Sequence, residues 1–204
     1  AVLMCPDSRG PGVAGGGRSG VRIGGGGAVF AQGPIGLCAT AGARLKGASR
    51  IFAVESVAAR AKISRALVAE VVIDHTTKDP VAEIMRLTDG RGVDVAIEAL
   101  GTQGTFELCL KVLRPGGVLS SLGVYSGKLT MPLEAFHAGL GDISIVSTLC
   151  PGGKERMRRL LSVVSAGQVD LRPPVTPRYK LDRIEEASDL FSHQPDGVPK
   201  VALT

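Results

Sequence analysis

A glycine-rich turn between an apolar run and a helix-forming segment constrains this chain more than any other feature. Residues 28–31 form a short apolar run typical of a buried strand, and Gln32-Gly33-Pro34-Ile35-Gly36 separates it from a helical pattern over residues 37–45. A helix entered through such a turn leaves its first backbone N–H groups without intrahelical partners, and its dipole places partial positive charge there. The order of strand, turn and helix therefore predicts a site for a pyrophosphate, as in dinucleotide-binding units.

The two glycines of the turn have different expected roles. Gly33 lets the backbone approach the phosphates, and Gly36 lets the helix pack closely on the strand. Ala31 stands where the first glycine of the pattern G-x-G-x-x-G is expected, so the fingerprint is imperfect. The remaining alternative is an ordinary glycine turn in an α/β protein.

An acidic residue ends the next apolar run. Residues 51–54 predict a second strand, and Glu55 follows it, about twenty residues beyond the turn. A carboxylate at this place accepts hydrogen bonds from both hydroxyls of the adenine ribose and repels a 2′-phosphate. Glu55 therefore predicts NAD rather than NADP as the cofactor.

Short apolar runs alternate with helical patterns along most of the chain. Strands are predicted at residues 28–31, 51–54, 70–73, 93–97, 118–122 and 143–148, and the helices between them include residues 58–67, 80–87 and 105–113. Parallel neighbours need crossover connections, so six such strands predict a parallel sheet with helices on both faces. The expected fold class is a doubly wound α/β domain.

In a doubly wound sheet, ligands bind beyond the carboxyl ends of the strands where the strand order reverses. His75 ends the third strand and lies either near the adenine or simply at the rim, and Arg60 either reaches the ribose or a phosphate or is solvated. The residues expected at the cofactor rim are Gln32, Gly33, Pro34, Ile35, Gly36, Glu55, Ser56, Arg60, Ala99, Leu100, Gly101, Gly123, Val124 and Tyr125.

The two ends of the chain differ in texture from the repeat. Residues 1–26 are rich in glycine, and residues 168–204 no longer alternate strand with helix. We therefore expect three parts: a glycine-rich segment over residues 1–26, the dinucleotide-binding domain over residues 27–167, and a C-terminal segment over residues 168–204.

Composition is that of an ordinary globular protein and narrows the partners. Hydrophobic residues make up 44% and charged residues 21%, and the net charge is +5. Because aromatic residues are only 3%, a base-stacking surface for nucleic acid is not expected, and the basic residues are read as a solvated surface. No apolar run approaches the roughly 20 residues of a membrane span. The four cysteines show no paired spacing, so we expect reduced thiols and a cytoplasmic protein.

Two other motifs fail on spacing. The segment GVYSGKLT has three residues between its glycines where a phosphate loop has four, and Leu129 replaces the hydroxyl that holds magnesium. The three histidines are isolated from one another, so local sequence assembles no metal site.

Four segments together carry a family resemblance: AQGPIGLCATAGA, LTDGRGVDVAIEALG, LRPGG and LCPGGKERM. With them the chain resembles the coenzyme-binding half of a zinc-dependent alcohol dehydrogenase of the medium-chain dehydrogenase/reductase superfamily, in the secondary-alcohol branch. The resemblance extends over essentially the whole chain. It implies a Rossmann fold, with remnants of a separate catalytic domain at both ends.

The resemblance also implies the chemistry, which is hydride transfer between a nicotinamide and a small alcohol or carbonyl compound, with a zinc ion polarising the substrate oxygen. Asp7 matches one zinc ligand of that branch, whereas the other ligands, a Cys and a His, are expected in an upstream domain. The chain alone is therefore expected to be inactive and not to hold zinc. No catalytic residue is assigned within it.

Further expectations come from the same resemblance. Lys200 falls where the family places a basic residue that reaches the cofactor phosphates, and Tyr125 and Cys150 fall near the nicotinamide. Family members pair as dimers or tetramers through the sixth strand, here residues 143–148. Residues 8–17 depart from the family pattern, and this departure leaves open the alternative of a non-catalytic dinucleotide-binding module.

Overall fold

The computed structural model describes residues 20–67, 69–147, 153–170, 175–193 and 200–203. Asp7 and Cys150, which the sequence analysis placed near a zinc ion and a substrate, lie outside these ranges. Within the ranges the chain forms eight strands and six α-helices. The strands are β1 (Gly26–Phe30), β2 (Arg50–Val54), β3 (Val71–Ile73), β4 (Val93–Glu98), β5 (Leu113–Ser121), β6 (Ser144–Ser147), β7 (Val175–Tyr179) and β8 (Lys200–Leu203). The helices are α1 (Pro34–Leu45), α2 (Ala58–Ala66), α3 (Pro80–Leu87), α4 (Gln103–Lys111), α5 (Lys154–Ser165) and α6 (Ile184–His193).

Strands β1 to β6 form one parallel sheet in the order β3-β2-β1-β4-β5-β6. The order reverses at β1, because the chain builds outward through β2 and β3 and then returns to the other side of β1 with β4. This arrangement confirms the predicted doubly wound α/β class. It also places the switch point, where ligands bind in such sheets, between β1 and β4.

The register aligns the carboxyl ends of the central strands. Phe30, the last residue of β1, pairs with Val54 on one side and with Glu98 on the other, and Glu98 pairs with Ser121. The loops that follow these four residues therefore leave the sheet side by side. They contain most of the expected rim.

Alternate residues along the strands feed two separate cores. Phe30 and Phe52 point to the face covered by α3 and α4, where Phe106 is buried with them. Val29 and Ile97 point to the other face, where α1 is so closely packed that every residue from Gly36 to Ala43 is buried. Helices on both faces explain why the strands read as continuous apolar runs.

Several boundaries differ from the sequence-based prediction. Helix α1 begins at Pro34 rather than at residue 37, because a proline at the first helical position needs no N–H partner. Helix α4 begins earlier because the Thr102 side chain caps it by accepting from the N–H of Thr105 at 3.2 Å. Leu113, predicted to be helical, instead opens β5 and pairs with Val93. Residues 115–117, the Pro-Gly-Gly expected to stop this helix, instead lie within β5, where its pairing with β4 shifts register.

Strand β7 was not predicted. It contains Pro177, and it pairs in parallel with β8 in a separate two-stranded sheet joined through α6. Strand β8, over Lys200–Leu203, ends the described part of the chain. No helix within the described ranges is both long and apolar enough to cross a lipid bilayer.

Candidate functional site

The turn after β1 holds its shape through an unusual backbone conformation. Ala31 has φ of 69°, in the left-handed region that favours glycine. A Cβ added to Gly36 would overlap the carbonyl oxygen of Ala31, so only glycine fits there. The prediction that Gly36 permits close packing of helix on strand is therefore confirmed, and Ala31 has the conformation for which the missing first glycine would be suited.

Gly33 differs from Gly36 because its missing side chain faces open space. Its φ is −65°, which any residue adopts, and a Cβ there would meet no atom within 4 Å. The space beyond Gly33 lies at the N-terminus of α1, whose first turn carries no acidic side chain. The backbone N–H groups of Ile35 and Gly36 belong to this turn, and the positive end of the helix dipole favours an anion in the adjoining space.

Glu55 reaches the same turn from the end of β2. It is only 6% exposed. One carboxylate oxygen, Oε2, accepts from the backbone N–H of Gln32 at 2.9 Å. The other, Oε1, accepts from the N–H groups of Ser56 at 2.9 Å and Val57 at 3.0 Å. These bonds stabilise the buried charge and fix the carboxylate at the mouth of the turn.

The engagement of Glu55 limits what it can offer a ligand. A carboxylate has about four lone-pair directions, and three of them already accept backbone N–H groups. One direction remains, whereas the sequence-based expectation was two hydrogen bonds, one to each ribose hydroxyl.

A cavity of about 400 Å³ opens beside Glu55. It is bounded by Ala31 on the β1 side, by Arg60 and His75 on the β2 and β3 side, and by Leu100 on the β4 side. Its volume is within the range of small-molecule sites. A guanidinium nitrogen of Arg60 lies 3.9 Å from Glu55 Oε2, so a positive and a negative charge share this wall. His75, which follows β3, is one of the residues that line this cavity.

Gln32 is directed away from the cavity, although it belongs to the turn. Its side chain is fully buried, and its Oε1 accepts from the hydroxyls of Thr40 and Ser64, both at 2.9 Å. Its Nε2 donates to the carbonyl of Val29 at 3.2 Å. The side chain thus ties the turn to α1 and α2 and cannot contact a ligand in the cavity. The sequence-based prediction that Gln32 binds the cofactor is to this extent wrong, because the core already satisfies its amide.

A second buried carboxylate organises the other half of the rim. Glu98 ends β4 and is fully buried, and its Oε1 accepts from the N–H groups of Leu100 at 2.9 Å and Gly101 at 2.8 Å. Its Oε2 accepts from the hydroxyl of Tyr125 at 2.9 Å. Burial, together with the hydrogen bond to Glu98, raises the pKa of Tyr125 far above its ordinary value. The Tyr125 hydroxyl therefore stays protonated and points inward.

Exposed apolar side chains lie on the surface of this half of the rim. Val124 is 83% exposed and Leu100 is 55% exposed, on loops that meet through Gly101 and Gly123. Isolated apolar residues are common on surfaces, but Leu100 also lines the cavity beside Glu55, and an exposed apolar residue there suits a flat, partly apolar ligand group.

Two expected contacts cannot be placed. The backbone of Lys200 opens β8, whereas its side chain is outside what the structure describes. Among the described residues, no three His, Cys, Asp or Glu side chains converge on a point where a metal ion would sit. Ala99 directly follows β4, and Ser56 is the second residue after β2.

Sequence reasoning missed Glu98 and Thr105 as organising residues. Glu98 had a detectable signal, since it ends an apolar strand in the same way as Glu55, and both residues follow strands that flank β1. Thr105 had none, because its hydrogen bond to Glu98 at 2.7 Å depends on where α4 begins.

Residues 34–166 match the family described as zinc-binding dehydrogenase. The chain is 59% identical over 99% of its length to an alcohol dehydrogenase of Cupriavidus necator, of which it covers 55%. It is 33% identical over 98% of its length to the NADP-dependent isopropanol dehydrogenase of Thermoanaerobacter brockii, of which it covers 58%.

The structure of alcohol dehydrogenase TADH from Thermus sp. ATN1 superposes on all of this chain with a TM-score of 0.88 at 25% sequence identity, and the chain covers 57% of that protein. The chain thus spans little more than half the length of the relatives it matches.

Proposed function

Because this chain belongs to the zinc-binding dehydrogenase family, we propose that it is the NAD-binding part of an alcohol dehydrogenase that transfers a hydride between an alcohol and a nicotinamide. The observation that carries the proposal is the meeting of the glycine turn at residues 33–36 with the buried carboxylate of Glu55 at one cavity mouth. The turn suits a diphosphate and the carboxylate suits a sugar, and the two are joined by a hydrogen bond.

In the proposed complex the diphosphate lies in the open space beyond Gly33. The N–H groups at the start of α1 donate to it, and the helix dipole stabilises its charge. The adenosine occupies the cavity between Glu55 and Leu100, with His75 on the wall. One ribose hydroxyl donates to the remaining lone-pair direction of Glu55.

The charge of Glu55 supports NAD over NADP. A 2′-phosphate placed on the ribose would lie against this carboxylate, in a partly buried site where like charges repel strongly. The Thermoanaerobacter relative is named as NADP-dependent. A 2′-phosphate would need a cationic partner, and among the described residues that line the cavity the arginine is Arg60. Arg60 stands 3.9 Å from Glu55, which partly balances its charge, so we assign Arg60 to the ribose side of an NAD complex.

The described residues do not fit a zinc site, since none of their potential ligands converge in threes. Asp7, the ligand candidate from the sequence, lies outside the described ranges. We therefore assign no step to zinc within this chain. In this proposal the metal and the alcohol are bound by the catalytic part of the protein and not by the described residues of this chain.

Bound NAD would supply the hydride acceptor, while this chain holds and orients it. Val124, which is exposed on the loop after β5, offers apolar contact to the nicotinamide half, since it lies on the opposite side of the switch point from β2. The substrate class we propose is a small alcohol or its carbonyl product, as the names of the relatives indicate.

Three further assignments are part of this proposal. The dinucleotide-binding domain spans residues 27–167, between segments that belong to the catalytic part at residues 1–26 and 168–204. The protein acts in the cytoplasm, where its buried Cys38 and Cys109 remain thiols. It forms a homodimer or homotetramer through β6, an edge strand on which Ile145 is 40% exposed.

Isothermal titration of the chain with NADH and with NADPH tests the proposal. We expect NADH to bind at a single site and more tightly than NADPH. A folded sample that binds neither dinucleotide, or prefers NADPH, would overturn it. A natural form of the protein that binds NADH yet contains no zinc and oxidises no alcohol would instead identify a non-catalytic dinucleotide-binding module.

A further inference from the structure

The buried carboxylate of Glu98 accepts four hydrogen bonds, and the donors come from two different loops. Its Oε1 accepts three donors: the N–H of Leu100 at 2.9 Å, the N–H of Gly101 at 2.8 Å, and the hydroxyl of Thr105 at 2.7 Å. These groups belong to the β4–α4 loop and to the first turn of α4. One oxygen atom therefore holds that whole loop in place.

The second oxygen of Glu98 holds the loop that follows β5. Its Oε2 accepts from the Tyr125 hydroxyl at 2.9 Å, and that hydroxyl also contacts Ser121 Oγ at 2.9 Å. The Tyr125 ring packs edge-to-face against Phe106, with ring centroids 6.1 Å apart. Tyr125 is thus fixed at its ring by α4 and at its hydroxyl by β4 and β5.

The two loops are in direct backbone contact. Gly101 has φ of 94°, and a Cβ there would overlap Val124. A Cβ on Gly123 would overlap both Gly101 and the Glu98 carboxylate. The exposed side chains of Leu100 and Val124 are therefore held beside each other by a buried charge and a pair of glycines.

Burying a carboxylate in order to hold two loops together costs free energy. Transfer of a charge to the interior is unfavourable, and four uncharged donors are needed to stabilise it. A purely structural fastening could use apolar contacts alone. The charge does, however, define the direction of every donor, and so it fixes the loops more narrowly than apolar packing would.

We propose that Glu98 is a positioning residue for the nicotinamide half of the dinucleotide. It sets the placement of Val124, the exposed apolar residue after β5, relative to the β4–α4 loop. The inference rests on the proposed function and adds a division of labour to it. Glu55 serves the adenosine half, and Glu98, which lies on the other side of β1, serves the nicotinamide half.

The variant Glu98→Gln distinguishes the roles of the two loops that this residue holds. The three donors on Oε1 require an acceptor, so the amide oxygen takes that place and the amide NH2 faces Tyr125. The β4–α4 loop, which borders the adenosine cavity, keeps its hydrogen bonds. The Tyr125 hydroxyl loses its charged acceptor, so the β5 loop alone is loosened. Tyr125→Phe removes the same bond from the other side.

Titration calorimetry of the chain with NADH and with ADP-ribose tests the inference. ADP-ribose keeps the adenosine, the diphosphate and the second ribose and lacks only the nicotinamide ring, so the difference between the two ligands reports the contacts of the ring. For Glu98→Gln we expect NADH to bind about tenfold more weakly and ADP-ribose to bind within about twofold of the unaltered chain, since one hydrogen bond to a charged group is lost. Tyr125→Phe should shift NADH in the same direction. Glu134→Gln, an exposed acid with the same change of charge, should alter neither ligand.

Equal weakening of NADH and ADP-ribose in Glu98→Gln would show a general loss of structure and overturn the inference, as would no change in either. Should Glu98→Gln fail to fold, Tyr125→Phe decides by the same criterion. If the unaltered chain binds neither ligand, the proposed function itself fails, and the inference fails with it. If it binds both and the variants show no difference between them, only the inference fails.

Discussion

The carboxylate of Glu55 accepts a hydrogen bond from the backbone N–H of Gln32 at 2.9 Å, so the acid that follows β2 is joined to the turn that follows β1. Twenty-three positions separate the two residues in sequence. The sugar site and the diphosphate site are therefore parts of one hydrogen-bonded unit. A substitution at either residue should therefore change the position of the other.

The two glycines of the turn should respond to substitution in opposite ways. Gly33→Ala adds a Cβ in open space at an ordinary φ, so it should leave the free energy of unfolding unchanged or raise it by up to about 1 kcal/mol. It should nonetheless weaken NADH binding, because the new methyl group occupies the space proposed for the diphosphate. Gly36→Ala should destabilise the fold, since its Cβ overlaps Ala31. Urea unfolding and NADH titration of both variants check this; a stable Gly33→Ala that binds NADH normally would contradict the diphosphate placement.

Gln32 should be a stability residue rather than a ligand contact. Gln32→Leu removes the acceptor of the Thr40 hydroxyl, whereas the Ser64 hydroxyl keeps the Arg60 carbonyl at 3.0 Å, and an unsatisfied buried hydroxyl costs about 1–3 kcal/mol. The triple variant Gln32→Leu, Thr40→Val, Ser64→Ala should recover part of that loss, because no buried donor then lacks a partner. Chemical denaturation of the two proteins measures the difference. A triple variant no more stable than the single one would argue against the network.

Replacing Ala31 by glycine, which the G-x-G-x-x-G pattern has at this position, should stabilise the fold. The left-handed conformation costs a residue with a Cβ about 1–2 kcal/mol, and the added flexibility of glycine in the unfolded chain offsets about 0.5–1 kcal/mol of the gain. Ala31→Gly should therefore raise the free energy of unfolding by up to about 1 kcal/mol, whereas the β-branched Ala31→Val should lower it. Thermal melting of both variants decides the order. Equal melting temperatures would show that the turn relaxes around either residue.

Asp94, near the N-terminal end of β4, should make the free energy of unfolding depend on pH. Burial alone would raise its pKa, but hydrogen bonds from Arg91, Arg114 and the N–H of Gly26 outweigh burial and hold the pKa well below its usual range. A carboxyl whose folded pKa is depressed contributes stability that is complete above its unfolded pKa of about 3.9 and is lost as the pH falls toward the folded value.

Asp94→Asn should therefore be less stable than the unaltered chain at neutral pH, and the gap should narrow as the pH falls below about 4. Urea unfolding across that range gives the comparison. A gap that stays constant with pH would mean that the ionic form of Asp94 does not stabilise the fold.

The sheet and its switch point could be predicted because strand and helix periodicities are local. The run at residues 51–54 and Glu55 after it indicated both a buried strand and an acid at its carboxyl end, and both are present. The start of α1 could not be fixed so closely, since Pro34 is compatible with either the turn or the first helical position. Strand β7 was hidden by Pro177, a residue that usually argues against a strand.

The orientation of polar side chains at the rim could not be predicted. Gln32 and Glu55 both stand next to the turn, yet one side chain enters the core and the other faces the cavity mouth. The choice depends on partners distant in sequence, such as Ser64 for Gln32. Tyr125 was placed at the rim because it follows the fifth predicted strand, whereas its hydroxyl points inward because Glu98 lies buried within reach. Such partners are defined by tertiary packing and not by spacing.

The most direct test of the account is the ratio of NADH affinity to NADPH affinity, measured by calorimetry in the unaltered chain, in Glu55→Gln, and in the control Glu70→Gln. Glu70 pairs with Arg50 at 3.0 Å just before β3, at the opposite end of the sheet from the rim, and its substitution makes the same change of charge. We expect the unaltered chain and Glu70→Gln to favour NADH by about tenfold or more, and Glu55→Gln to lose most of that preference. A ratio that Glu55→Gln leaves unchanged, or an unaltered chain that favours NADPH, would contradict the claim that Glu55 selects the cofactor.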